Sequence, residues 1–144
     1  MLLALALFLA TVNMAAQDTA SAHAQHKYYC EVIGKEKELG TGLKIVVDFG
    51  KDPTYNIWGG LKNDQKLVDE QGKEIKFKSM VDAANFMEGK GWTFLQAYGS
   101  VYEGAFISHW IFRKEAATPE EARQGLRTKG EVKKQANPGQ PDND

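Results

Sequence analysis

Apolar and polar positions alternate with a period of two in several stretches of this chain and follow a helical period in one. Residues 27–33 (KYYCEVI) are rich in aromatic and β-branched side chains and stop at Gly34, which predicts a strand. In 43–49 (LKIVVDF), Leu43, Ile45, Val47 and Phe49 alternate with Lys44, Val46 and Asp48, the pattern of a strand with one buried face. Gly50 and Pro53 then break the run, and 55–60 reads as an irregular loop carrying Tyr55 and Trp58. Residues 66–69 and 75–77 flank Glu70-Gln71-Gly72-Lys73, a hairpin pattern in which Gly72 supplies the positive φ of a tight turn.

The helical period begins at Ser79. Ser79 is a good N-cap, and Asp82 stands where a capping-box acid would. Met80, Ala83, Ala84 and Met87 follow at i, i+3, i+4 and i+7, a single stripe that reads as core, and Gly89 or Gly91 ends the helix. Two further strands are predicted. In 92–98, Trp92, Phe94 and Tyr98 share one face and Leu95 and Ala97 the other. In 106–113, Phe106, Trp110 and Phe112 oppose Ile107, His109 and Ile111, and 99–105 is the linking loop. Both strands are apolar on both faces, whereas a sheet covered on one side shows polar residues on the other. One ten-residue helix cannot cover both, so the second cover comes from the tail, the Tyr55/Trp58 loop or another chain.

The expected fold class is therefore α+β: an antiparallel sheet of about four to six strands with one main helix packed on one face. A short C-terminal helix is expected within 115–128, because Thr118 can cap it, Pro119 suits its first position and Glu121 its third. Residues 129–144 turn polar and are read as a disordered tail. The compact domain is thus 27–114, a size at which folding buries only about 60% of the unfolded surface.

Residues 2–10 (LLALALFLA) form an uncharged apolar run, too short for a membrane span of roughly 20 residues but suited to the core of a signal peptide. Residues 1–24 are read as that signal, cleaved after Ala16 or Ala24, and no stable membrane span is expected afterwards. This places the mature chain outside the cytoplasm, in the periplasm or beyond. Cys30 is the single cysteine, so no intrachain disulfide can form, and its strand position makes it a small buried hydrophobe.

Charge singles out no partner. Cleavage after residue 24 removes one acid, Asp18, and leaves 18 acidic against 18 basic side chains. Phosphate contacts dominate nucleic-acid affinity and demand a basic excess that is absent here, so no nucleic-acid role is expected.

Candidate chemistry is sparse. His109, the only histidine in the compact part, is a weak catalytic candidate because no second histidine or patterned partner accompanies it. His23 and His26 lie in or beside the signal, and zinc needs three or four converging ligands, so no metal site is expected. Asp48, Asp52, Asp64, Asp69, Glu70 and Glu74 do not follow calcium-loop spacing and read as solvated charge. Gly40-Thr41-Gly42 precedes a strand rather than a helix, so it forms no phosphate cradle, and no cofactor is expected. Tyr55, Trp58, Tyr98 and Tyr102 are the candidate ligand- or partner-binding residues, since Trp and Tyr join large contact area to a polar handle.

Lys27-Tyr28-Tyr29, the Ser79-capped helix, Gly91-Trp92 and a last strand ending in Arg113-Lys114 together resemble small bacterial domains of unknown function built as strand–helix–"GWE"–strand–strand. The resemblance covers 27–33 and 79–114. Thr93 stands where that pattern has Glu, and 41–78 reads as an insertion. The segment "SMVDA…GW" is also similar to exported hypothetical proteins of Bacteroidetes. The resemblance implies a fold and no activity. The reading that follows is an exported, non-catalytic binding or interaction module, with a homo-oligomer or an envelope protein as partner. Two alternatives stand beside it: a small envelope hydrolase or lyase using His109 with a carboxylate from 48–74, and a structural subunit of an envelope assembly.

Overall fold

The computed structural model describes residues 25–36, 42–51, 55–56 and 60–139. The expected export signal, the loop residue Trp58 and the last five residues lie outside the described residues. In chain order the elements are β1 (His26–Glu36), β2 (Leu43–Asp48), β3 (Tyr55–Asn56), β4 (Gly60–Leu61), a 3-10 turn (Asn63–Gln65), β5 (Leu67–Val68), α1 (Met80–Gly89), β6 (Thr93–Tyr102), β7 (Ala105–Ala116), α2 (Pro119–Ala122), β8 (Arg127–Thr128) and α3 (Lys129–Ala136). The principal sheet has four antiparallel strands in the order β2-β1-β7-β6, with two short antiparallel pairs, β3–β4 and β5–β8, beside it. The fold is α+β, as the sequence pattern predicts.

Side chains on paired residues project to the same face of a sheet, so the register assigns the two faces. Cys30, Val32, Ile45, Val47, Trp110 and Phe112 lie on the first face, where they form one core with Ala83 and Met87 of α1. Trp92 and Phe112 are almost wholly buried there. Each aromatic of that size contributes about 1.5–3 kcal/mol of transfer free energy. Glu31, Ile33, Val46, Ile107 and His109 lie on the second face, where Ile33, Val46 and Ile107 are buried with Leu61 of β4. The segment around β4 therefore covers part of the second face.

Helix α1 starts and stops by local chemistry. Ser79 Oγ accepts from the Asp82 N–H at 3.1 Å, while the Asp82 carboxylate accepts from the Lys78 N–H, one residue ahead of the cap. At the other end Gly91, at φ 80°, turns the chain so that its N–H reaches the Glu88 carbonyl and the Trp92 N–H reaches the Met87 carbonyl. This is the Schellman arrangement, and Trp92 packs in the same cluster as Met87.

Three expectations need correction. First, the loop between the last two strands is a two-residue turn, not 99–105: Glu103 and Gly104, at φ 50° and 75°, join Tyr102 directly to Ala105. Left-handed backbone at both turn positions matches the twist of the strands. Second, the pairing of β6 with β7 shifts between Phe94 and Gln96, leaving Leu95 as a bulge. The extra residue reverses the alternation. Phe94 and Ala97 consequently share the face of Trp110 and Phe112, and Tyr98 goes to the opposite face beside His109. Third, residues 129–136, read as part of a disordered tail, form α3, and the helix within 115–128 is only Pro119–Ala122.

Helix α3 buries no residue, so hydrophobic periodicity could not announce it. Polar contacts hold it instead. Thr128 and Glu131 form a reciprocal capping box, Arg123 pairs with Glu131, and Lys133 pairs with Asp64 at 2.6 Å. The pairing of β8 with β5 anchors its start, aided by the Lys129 N–H donating to the Lys66 carbonyl. Among the described residues the buried apolar side chains of the tail, Ala122 and Leu126, join the first-face core and not the second-face cluster.

Met87→Ala is expected to lower the unfolding free energy by roughly 2–5 kcal/mol in urea titration, through lost burial plus a cavity. Burial alone would raise the Glu131 pKa, but the Thr128 N–H and the Arg123 guanidinium outweigh it and hold the carboxyl below its usual 4.5. A carboxyl lowered in the native state stabilises the fold above its unfolded pKa and loses that contribution as pH falls through the native one. Glu131→Gln, which can keep the capping box, should therefore melt below the wild type near neutrality, with the gap in Tm closing in acid.

Candidate functional site

His109 is not isolated. It is a buried polar residue on the second face of β7, directly opposite Tyr98 of β6 and diagonal to Ser100 and Glu31 on the flanking strands. Its Nδ1 lies 2.9 Å from Glu31 Oε1, and its Nε2 lies 2.8 Å from Ser100 Oγ. Tyr98 donates its hydroxyl to the same Glu31 oxygen at 2.7 Å, and its ring stacks on the imidazole at a centroid distance of 4.6 Å. A carboxylate has no proton to give, so it accepts both bonds and holds the imidazole proton on Nδ1. In a neutral imidazole this leaves the Nε2 lone pair to accept the Ser100 hydroxyl.

The catalytic alternative drawn from the sequence pairs His109 with a carboxylate from 48–74. The structure supplies Glu31 from the adjacent central strand instead, because antiparallel pairing sets Ile33 opposite His109 and brings Glu31 onto the next diagonal. Ser100 was missed as well. The sequence pattern puts Ser100 in the linking loop 99–105, and the only sign of it is a small polar residue two places from Tyr98.

The other candidates scatter. Tyr102 shares the second face with Tyr98 and ends β6 at the turn, both of them exposed. Tyr55 lies in β3, away from β6 in the pairing order, and Trp58 is outside the described residues. The structure therefore joins Tyr98 to His109 and leaves the Tyr55 loop separate from it in the sheet order.

Three of the loosely clustered carboxylates, Asp64, Asp69 and Glu74, hold structure together. Glu74 pairs with Lys66 at 2.7 Å, Asp64 pairs with Lys133, and Asp69 Oδ1 accepts from the Gln71 and Lys73 N–H groups to close the Gly72 turn. Among the described residues no three His, Cys, Asp or Glu side chains converge to hold a metal ion. A cleft between Tyr28, Phe49, Trp92 and Arg123 offers about 40 Å³. That is room for a water or two, far below the roughly 300 Å³ or more of a small-molecule site. Arg123 lies over the Phe49 ring at 4.3 Å, so its guanidinium is engaged in packing as well as in its ion pair.

No family model matches the chain, nor does any curated protein or solved structure. Among the described residues no helix is long and apolar enough to cross a membrane.

Burial, with the nearby Asp48 charge, pushes the Cys30 thiol far above the ordinary thiol range, and only 4% of the residue is exposed. The thiolate is the reactive form. Iodoacetamide at neutral pH should leave Cys30 unmodified in the native protein and alkylate it after denaturation, as read by intact mass.

Proposed function

We propose that the chain is an exported protein-interaction module that works through the open edge of β6. The observation that supports this is the character of that edge. Among the described residues β6 is the last strand of its sheet, and its sequence, TFLQAYGSVY, holds neither a charge nor a proline. It exposes Phe94, Leu95, Tyr98, Val101 and Tyr102, and Phe106 of the hairpin is exposed beside them. Edge strands ordinarily carry Lys, Pro or inward charges that block pairing with other chains. Here only the Leu95 bulge interrupts the edge, near its beginning, and 96–102 runs free of irregularity. A strand added there would gain main-chain hydrogen bonds and pockets between alternate side chains.

A second copy of the chain suits this edge. Two uncharged strands meet without like-charge repulsion. An antiparallel, two-fold arrangement would also bring Glu103, at the turn end of β6, toward the end of the second copy where Arg113 lies opposite Thr93. The mature protein should run at dimer mass in native mass spectrometry and in sedimentation. Val101→Lys, at a position 72% exposed, should give monomers with an unchanged circular dichroism spectrum. A wild-type protein that stays monomeric at every concentration tested would remove self-pairing as the role of the edge.

A further inference from the structure

We propose that Ser100 is a nucleophile activated by His109, and that it accepts acyl groups from small carboxylic esters with apolar or aromatic acyl parts. The residues concerned lie on the second face of the sheet, which a strand added in the plane of the sheet at β6 would not cover.

The arrangement has the parts that nucleophilic catalysis by a hydroxyl requires. A serine oxygen lies 2.8 Å from an imidazole nitrogen, and the other ring nitrogen lies 2.9 Å from a carboxylate. This is a nucleophile within reach of a base, and a base oriented by a third group. Tyr98 adds a second restraint, stacking on the ring and bonding the same carboxylate oxygen. Glu31 and Tyr98 are positioning residues: they fix the tautomer and plane of His109 and take no part in the bonds made or broken.

The position also suits access. Ile107, opposite Ser100, is buried with Leu61, whereas Tyr98 and Tyr102, on either side of Ser100 along the same face of β6, are 49% and 38% exposed. Ser100 thus stands at the margin where the cover around β4 ends and an aromatic surface begins. That surface would contact an apolar acyl group.

In the step, the Ser100 oxygen bonds to the ester carbonyl carbon while its proton passes to His109 Nε2, and the carbonyl π pair moves onto oxygen. Collapse of this intermediate breaks the bond to the leaving alkoxide, which takes the proton from Nε2 and departs as an alcohol. Water then attacks acyl-Ser100 by the same proton path and releases the carboxylic acid.

The test is incubation of the full mature chain with an alkyl fluorophosphonate, followed by intact mass and peptide mapping. The expected result is one covalent adduct, on Ser100. It should be absent in Ser100→Ala and form roughly a hundredfold more slowly in His109→Gln. Glu31→Gln should slow labelling while leaving the site of the adduct unchanged. No adduct on the folded wild type, an adduct on another residue, or an equal rate in folded His109→Gln would each overturn the proposal. Should His109→Gln fail to fold, the wild type and Ser100→Ala decide it alone.

Discussion

The pairing of β1 with β7 is the constraint on which the rest of this molecule depends. The two strands run antiparallel from His26 opposite Ala116 to Lys35 opposite Ile107, and both sit at the centre of the sheet. Each is buried on two faces: Cys30, Val32 and Phe112 toward α1, and Ile33 and Ile107 toward Leu61. A slip of one residue would exchange these faces and drive Glu31 into the apolar core in place of Val32. That cost pins the register. The same register puts Glu31 within reach of His109, so the polar network follows from the packing of the core.

The second decisive feature is the Leu95 bulge. Strand β6 pairs with β7 on both sides of it, but with opposite alternation. Upstream, Phe94 packs against Trp110 and Phe112, with ring centroids 5.2 and 5.7 Å away, and so ties the start of the strand to the core. Downstream, Tyr98 and Ser100 reach the second face and meet His109. A regular strand would leave either Phe94 without its aromatic partners or His109 without its hydroxyls. One inserted residue serves both the core and the candidate site, at the expense of an unpaired backbone position next to an already exposed edge.

The chain also divides its stability between two kinds of interaction. The sheet and α1 rest on apolar burial, whereas the C-terminal segment rests on caps, a two-residue strand pair and ion pairs around Arg123, Glu131, Lys133 and Asp64. Exposed ion pairs contribute little individually. Surface helices held this way are expected to open before the core does. Where the tail does bury apolar side chains, at Ala122 and Leu126, it adds to the first-face core, and the β6 end of the second face keeps its aromatic surface.

Much of this architecture is legible in the amino-acid order alone, because it depends on neighbours in sequence. The period-two runs marked β1, β2, β6 and β7, Ser79 and the Met80–Met87 stripe marked α1, and Thr118 with Pro119 marked α2. The two apolar faces of β7 signalled a sheet covered on both sides. Tertiary structure decided what depends on partners far along the chain. The bulge at Leu95 is visible only against β7, since nothing local distinguishes an extra residue from regular alternation. Helix α3 has no apolar stripe; its local sign is the Thr128–Glu131 capping box, and the contact with Asp64 that holds it comes from far along the chain. His109 looked alone because Glu31 is 78 residues away in sequence and becomes its neighbour only through strand register. Sequence periodicity encodes which face a side chain takes, and long-range pairing decides whom it meets there.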